Sequence, residues 1–122
     1  LYPTSVFVKK KHLHESYKFL KKKKWDVVFS AMKYSHPIQR SFKYNNKILK
    51  FNLKNMKQQT QKFSSNYHDA GQFYLAKVDK WLNNQGLLTK KSKFIEFLSY
   101  ECTDIDTIED WKLSEIIFKK IT

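Results

Sequence analysis

The chain has 122 residues, 41% hydrophobic and 16% aromatic, with 24 basic against 11 acidic side chains and a formal net charge of +13. That length supports one compact domain with a real core and is too short for two ordinary ones. No run approaches the roughly 18 apolar residues that cross a bilayer, no charged-then-apolar leader opens the sequence, and the single cysteine, Cys102, excludes a disulfide framework and a cysteine-rich zinc site. These features read as a soluble, cytoplasmic, non-membrane protein with a buried or idle thiol.

Along the chain, Leu13, Tyr17 and Leu20 recur at helical spacing between Lys9 and Lys23, which predicts an amphipathic helix burying that stripe on a sheet. The run Lys21 to Lys24 closes this helix, where cations oppose the negative end of the helix dipole. Residues 25–32, "WDVVFSAM", are short, β-branched and aromatic and predict a buried strand. A helix followed by a buried strand is the α/β rhythm. "SHPIQR" reads as a loop, because Pro37 pushes His36 toward extended geometry.

Strands are expected at 41–44 and 47–51, alternating about Asn45 and Asn46, a pair that tolerates the positive φ of a tight hairpin. Residues 52–66 are polar and aperiodic and read as a long loop or an arm. Residues 77–86 predict a short helix ending at Gly86 as a left-handed cap. Residues 93–101, "KFIEFLSYE", alternate as a strand. The last segment sets Ile108, Trp111, Leu113, Ile116, Ile117 and Ile121 along a broad helical face with lysines in the final turn.

The most informative chemistry lies in "TDIDTIED". Asp104 and Asp106 stand two apart where strand gives way to helix, so in extended geometry both carboxylates point to one side and suit a hard cation such as Mg²⁺. Helix capping is the alternative: Asp106 or Thr107 accepts from the first helical amides, and Glu109 or Asp110 three residues on completes a capping box. Capping leaves Asp104 unexplained. His12 and His14 point different ways on a helix, and a solvated or locally hydrogen-bonded imidazole is the reading for every histidine except His68. No phosphate-cradling loop can be drawn from two glycines.

The charge admits a nucleic-acid-binding module. Against it, only Arg40 among the 24 basic residues is arginine, whereas bidentate recognition favours the guanidinium fork. Lysines spread over helix ends predict loose, sequence-blind attraction that physiological salt removes.

Three separated segments carry a resemblance: "LYPTSVF" at 1–7, "HPIQRSF" at 36–42 and "YHDAGQFYL" at 67–75, followed by "DIDTIEDW". In this order they resemble the carboxyl-terminal half of the acylneuraminate cytidylyltransferases, which activate nonulosonic acids as CMP-sugars, and most closely the pseudaminic acid branch. The resemblance implies a three-layer, Rossmann-like α/β nucleotidyltransferase fold, with the amino-terminal half and its CTP loop outside these 122 residues, so that the chain alone is not expected to catalyse. It implies Mg²⁺ held by Asp106 and Asp104 as the catalytic acids. It also implies a sugar-facing wall of Tyr2, Asp69, Gly71, Gln72 and Phe73, with Gly71 leaving room for the sugar, and a carboxylate or phosphate partner in Gln39 and Arg40. CTP and a nonulosonic acid, of pseudaminic or sialic acid type, are the implied substrates. A homodimer exchanging an arm near residues 43–66 is the implied assembly. The chain departs from the family at Gln59 and Lys62, where an arginine and an acid are the family's pattern; a non-catalytic remnant is the reading those departures support.

Overall fold

The computed structural model describes residues 1–83 and 88–121. The elements in order are α1 (Lys10–Lys21), β1 (Val27–Lys33), β2 (Phe42–Asn45), β3 (Ile48–Phe51), α2 (Leu53–Lys57), β4 (Tyr67–Ala76), α3 (Val78–Leu82), β5 (Ser92–Phe97) and α4 (Ile108–Ile121), with single 3₁₀ turns at Ile38–Arg40, Thr60–Lys62 and Ser99–Glu101. This is the mixed α/β class expected from the sequence. The chain forms two compact units, one of Leu1–Met32 with Asp69–Thr122 and one of Lys33–His68.

The first unit is built on a sheet of order β4-β1-β5. β1 and β5 run parallel, in register from Val27 with Ser92 to Met32 with Phe97. β4 runs antiparallel to β1: the Lys77 amide donates to the Asp26 carbonyl at one end, and Gln72 and Phe73 meet Ser30 farther along. A strand buried on both faces needs small or branched side chains throughout, and Val27, Val28, Ser30 and Ala31 supply them. The core joins Val28, Phe73, Ile95 and Phe97, with Phe19, Leu20, Leu75 and Cys102 packed around it. Burial pushes the Cys102 thiol up to about 11, so it is protonated at neutral pH, as an idle thiol should be.

Of the stripe the periodicity predicts for helix α1, only Leu20 packs on the core. Leu13 and Tyr17 are 39% and 56% exposed, and His12 and Ser16 face inward instead. The cause is close approach to β5. Ser16 is small, satisfies its hydroxyl on the His12 carbonyl at 2.8 Å, and lets the His12 ring lie on Phe97. His12 is therefore locally hydrogen-bonded, its Nδ1 accepting from the Lys9 amide at 3.2 Å, but buried rather than solvated. The strand expected at 93–101 stops at Phe97, because the Glu101 carboxylate accepts from the Leu98 amide and turns the chain into a 3₁₀ turn. Helix α3 ends at Leu82; the cap expected at Gly86 lies outside the described residues. In α4 the expected apolar face is open, with Ile108, Trp111, Leu113 and Ile116 exposed and only Ser114 buried.

In the second unit β2 and β3 form an antiparallel hairpin pairing Phe42 with Phe51, Lys43 with Lys50, Tyr44 with Leu49 and Asn45 with Ile48. Positive φ falls on Asn46 and Lys47, one residue later than the Asn45–Asn46 turn expected. The shift pairs Phe42 with Phe51 and Tyr44 with Leu49, where the earlier turn would have set Tyr44 against Lys47. Residues 52–66 are not wholly loop. Asn52 Oδ1 accepts from the Lys54 and Asn55 amides at 3.0 and 3.3 Å and starts α2, a capping signal hidden in a polar run. No helix among the described residues is long and apolar enough to cross a membrane.

Candidate functional site

A cleft of about 420 Å³ in the first unit is lined by Leu1, Tyr2, Asp69, Tyr74, Trp81 and Leu88. Its geometry starts at Asp69. One carboxylate oxygen accepts from the Gly71 amide at 2.9 Å, closing a turn within β4, and the other accepts the Tyr74 hydroxyl proton. The Tyr74 ring stacks on Phe29 at 6.3 Å and meets the edge of Tyr2 at 6.1 Å. Burial, reinforced by the Asp69 carboxylate, raises the Tyr74 phenol well above its ordinary value, so it is a fixed hydroxyl at neutral pH and no base. The cleft thus combines aromatic walls with one carboxylate, a set suited to a polyol with apolar ring faces and hydroxyl donors.

Gly71 answers a backbone demand. Its φ is +62°, and a Cβ built there meets nothing within 4 Å. The glycine serves the left-handed turn within β4, and the space beside it holds no atom of the described residues. After the bulge, Gln72 and Phe73 both turn inward. Phe73 is core, 6.0 Å from Phe97, so its ring faces no cleft and Tyr74 takes the outward position. Gln72 is buried; its Nε2 donates to the Ala70 carbonyl at 3.1 Å and its Oε1 has no partner among the described residues.

Tyr2 and Asp69 are brought together, with Gly71 and Gln72 behind them. Gln39 and Arg40 belong to the second unit. The Gln39 carbonyl accepts from Asn55 Nδ2 at 2.8 Å and the Arg40 guanidinium donates to the Met56 carbonyl at 3.4 Å, so α2 fixes the Ile38–Arg40 turn.

Before α4 both readings of the acidic segment find residues. The cap is Thr107 with Asp110: Thr107 Oγ1 accepts from the Asp110 amide at 3.2 Å, and Asp110 Oδ2 accepts from the Thr107 amide at 2.8 Å. The Thr107 hydroxyl and amide hold the Asp110 carboxyl below its usual range. Asp104 and Asp106 are exposed, and among the described residues their carboxylates take no hydrogen bond or ion pair. No group of three or more His, Cys, Asp or Glu side chains that could hold a metal occurs among the described residues. Two uncommitted carboxylates fit Mg²⁺, which takes one or two from protein and completes its shell with water and phosphate.

Sequence reasoning missed Ser5, Ser30, Tyr74 and Trp81. Tyr74 became visible only once the Gly71 turn reversed the alternation of β4, and Trp81 reaches the cleft from α3. The lysines that follow α1 are exposed as expected at a helix end, and they also cover rings: Lys24 Nζ lies 5.0 Å from the Trp25 centroid and Lys22 Nζ 5.6 Å from that of Phe19, which Lys93 of β5 also approaches at 5.6 Å. Faces capped by ammonium groups are poorly placed to stack bases.

No model of a known protein family matches the chain. Pseudaminic acid cytidylyltransferase of Campylobacter jejuni subsp. jejuni serotype O:2 is 31% identical over 121 residues, 98% of this chain and 52% of that protein. The protein of the same name from serotype O:23/36 is 30% identical over the same shares. A Helicobacter pylori protein named pseudaminic acid cytidylyltransferase and UDP-2,4-diacetamido-2,4,6-trideoxy-beta-L-altropyranose hydrolase is 27% identical over 116 residues, 94% of this chain and 22% of that protein. Across nearly all of its own length the chain is therefore a relative of the pseudaminic acid cytidylyltransferases, and it spans about half the length of the Campylobacter proteins it matches.

Proposed function

We propose that the chain is the sugar-side and metal-side portion of a cytidylyltransferase that joins a nonulosonic acid of the pseudaminic type to CMP. In the complete enzyme the sugar's anomeric hydroxyl attacks the α-phosphorus of CTP. The new P–O bond forms as the α–β phosphoanhydride breaks, pyrophosphate leaves with the bond's electron pair, and the hydroxyl proton passes to solvent. Kinship over 98% of the chain carries this reading, and the aromatic cleft around Asp69 supports it. Tyr2, Asp69 and Tyr74 would seat the sugar, the two rings against its apolar face and the carboxylate against its hydroxyls. Asp104 and Asp106 would hold Mg²⁺, which when bound neutralises phosphate charge. The hairpin's exposed apolar face supports a homodimer in which it crosses to a second copy.

The test is pyrophosphate release from CTP and pseudaminic acid by the complete enzyme. Asp106→Asn should reduce turnover by about a hundredfold or more with an unchanged melting temperature. Full turnover with early melting would make Asp106 a structural residue and sink the metal assignment.

A further inference from the structure

The Gln72 peptide is held from both sides by buried hydroxyls. On its amide side Ser30 Oγ, fully buried in the middle of β1, accepts from the Gln72 amide at 2.9 Å and from the Phe73 amide at 3.2 Å. Two consecutive amides converging on one side-chain oxygen replace the ladder that the Gly71 bulge interrupts. On its carbonyl side, Ser5 Oγ donates to the Gln72 oxygen at 2.6 Å and the Tyr2 amide donates to the same oxygen at 3.3 Å. The Ser5 amide in turn donates to the Tyr2 carbonyl at 3.1 Å, so residues 2–5 form a turn docked on Gln72 by both of its ends. Neither Ser5 nor Ser30 lines the cleft itself, yet the peptide they grip lies one residue after Gly71 and two before Tyr74.

We propose that Ser5 and Ser30 are positioning residues for the cleft: a hydroxyl clamp that fixes the β4 bulge and thereby sets Asp69 and Tyr74 against Tyr2. Each is the smallest side chain that can do this. Alanine at 30 removes the one oxygen that both amides reach, so the turn after Gly71 loses the bond that ties it to β1. Valine or any larger apolar residue would collide with β4 as well. Alanine at 5 leaves the Tyr2 turn tied to Gln72 by the longer Tyr2 amide bond alone and so loosens the Tyr2 edge against Tyr74. The clamp explains why serines stand at these buried points of a strand and a turn that packing alone would fill with apolar residues.

The consequence for sugar binding rests on the function proposed above, whereas the clamp is measurable without it. Tyrosine labelled with ¹³C at Cζ reports ionisation of Tyr74 in the isolated chain. At about pH 11, beyond the ordinary tyrosine value, Tyr74 of the parent should remain protonated, while in Ser30→Ala and Ser5→Ala more than half should ionise because the contact with Asp69 loosens. Ser30→Thr, which keeps the hydroxyl, should behave as the parent. Val28→Ala, an equally buried change in β1 that touches no bulge bond, should lower stability without moving Tyr74. An unmoved Tyr74 in both serine-to-alanine variants overturns the clamp, as does an equal shift in Val28→Ala. If Ser30→Ala does not fold, Ser5→Ala and Ser30→Thr decide the matter alone. In the complete enzyme Ser5→Ala should raise KM for the sugar about tenfold with kcat nearly unchanged. A moved Tyr74 with an unmoved KM would keep the clamp and overturn its link to sugar binding.

Discussion

The imidazole of His12 lies 4.3 Å, centroid to centroid, from the ring of Phe97 in the seam between α1 and β5. Burial holds its pKa below the ordinary 6.5, opposed by Glu101 and Glu15 and reinforced by Lys11 and Lys9. In the unfolded chain the histidine binds a proton more readily than in the fold. The neutral ring's contribution is therefore complete above 6.5 and is lost as pH falls through the depressed folded value. Urea midpoints should drop between neutral pH and about pH 5, and His12→Asn, which keeps an acceptor for the Lys9 amide, should flatten that slope. A midpoint independent of pH in the parent would contradict the burial of His12.

Lower in pH a different set takes over. The Lys77 ammonium, 2.6 Å from Asp26, lowers that carboxyl; burial would raise Glu101, but Lys9 at 3.1 Å and the Leu98 amide prevail and its net shift is also downward. Each contributes above its unfolded value and loses that contribution as pH falls through the folded one. Lys77→Met should lower stability at neutral pH and flatten its fall on acidification, followed by circular dichroism, because the Asp26 carboxyl is no longer held down, and Asp26→Asn with Lys77→Met should recover part of the neutral-pH loss, because an unpartnered buried carboxylate costs more than the absent pair.

Replacing Phe73 by alanine should cost about 3–5 kcal/mol, the price of a large core cavity. Tyr74→Phe should leave stability within about 1 kcal/mol, since it removes one hydroxyl and keeps the ring. Urea denaturation distinguishes the neighbours, and equal losses would mean that β4 faces the other way.

Gly71→Ala should cost about 1–2 kcal/mol from backbone strain alone, because no neighbour obstructs a Cβ. Gly71→Asn should cost less, as asparagine visits the left-handed region more readily. Thermal melts of the pair give the order; a neutral Gly71→Ala would remove the positive φ from the account.

Thr107→Ala and Asp110→Ala should each cost about 1 kcal/mol and together less than their sum, since they break the same reciprocal bonds. The same double-mutant cycle between Thr107 and Asp106 should be additive.

The elements readable in the sequence were those set by composition over several residues: the buried β1, the hairpin, and a helix at each end. Which face α1 buries was not readable, because Ser16 and His12 look polar and become core only through Phe97 and a carbonyl four residues back. Tyr2, Asp69 and Gly71 were found through resemblance, and Phe73 was placed on the same wall through that resemblance, whereas the structure lays it in the core. The bulge that moves it inward depends on Ser30, 41 positions before Gly71 in the chain, a relationship no local pattern contains. Likewise Asp106 and Asp110 both fit a cap on paper, and only the backbone path selected Asp110.

Phe42, Tyr44, Leu49 and Phe51 turn one face of the hairpin outward on a molecule carrying +13, with Lys43 and Lys50 opposite each other on the reverse face. In dilute buffer the lysines keep such molecules apart. Salt at about 1 M cuts the reach of that repulsion to about 3 Å and leaves apolar attraction intact. The protein should therefore behave as a charge-stabilised colloid: clear when concentrated at low ionic strength, turbid as ammonium sulfate rises, and cleared again on dilution. Purification and crystallisation conditions follow from this hairpin more than from the cleft.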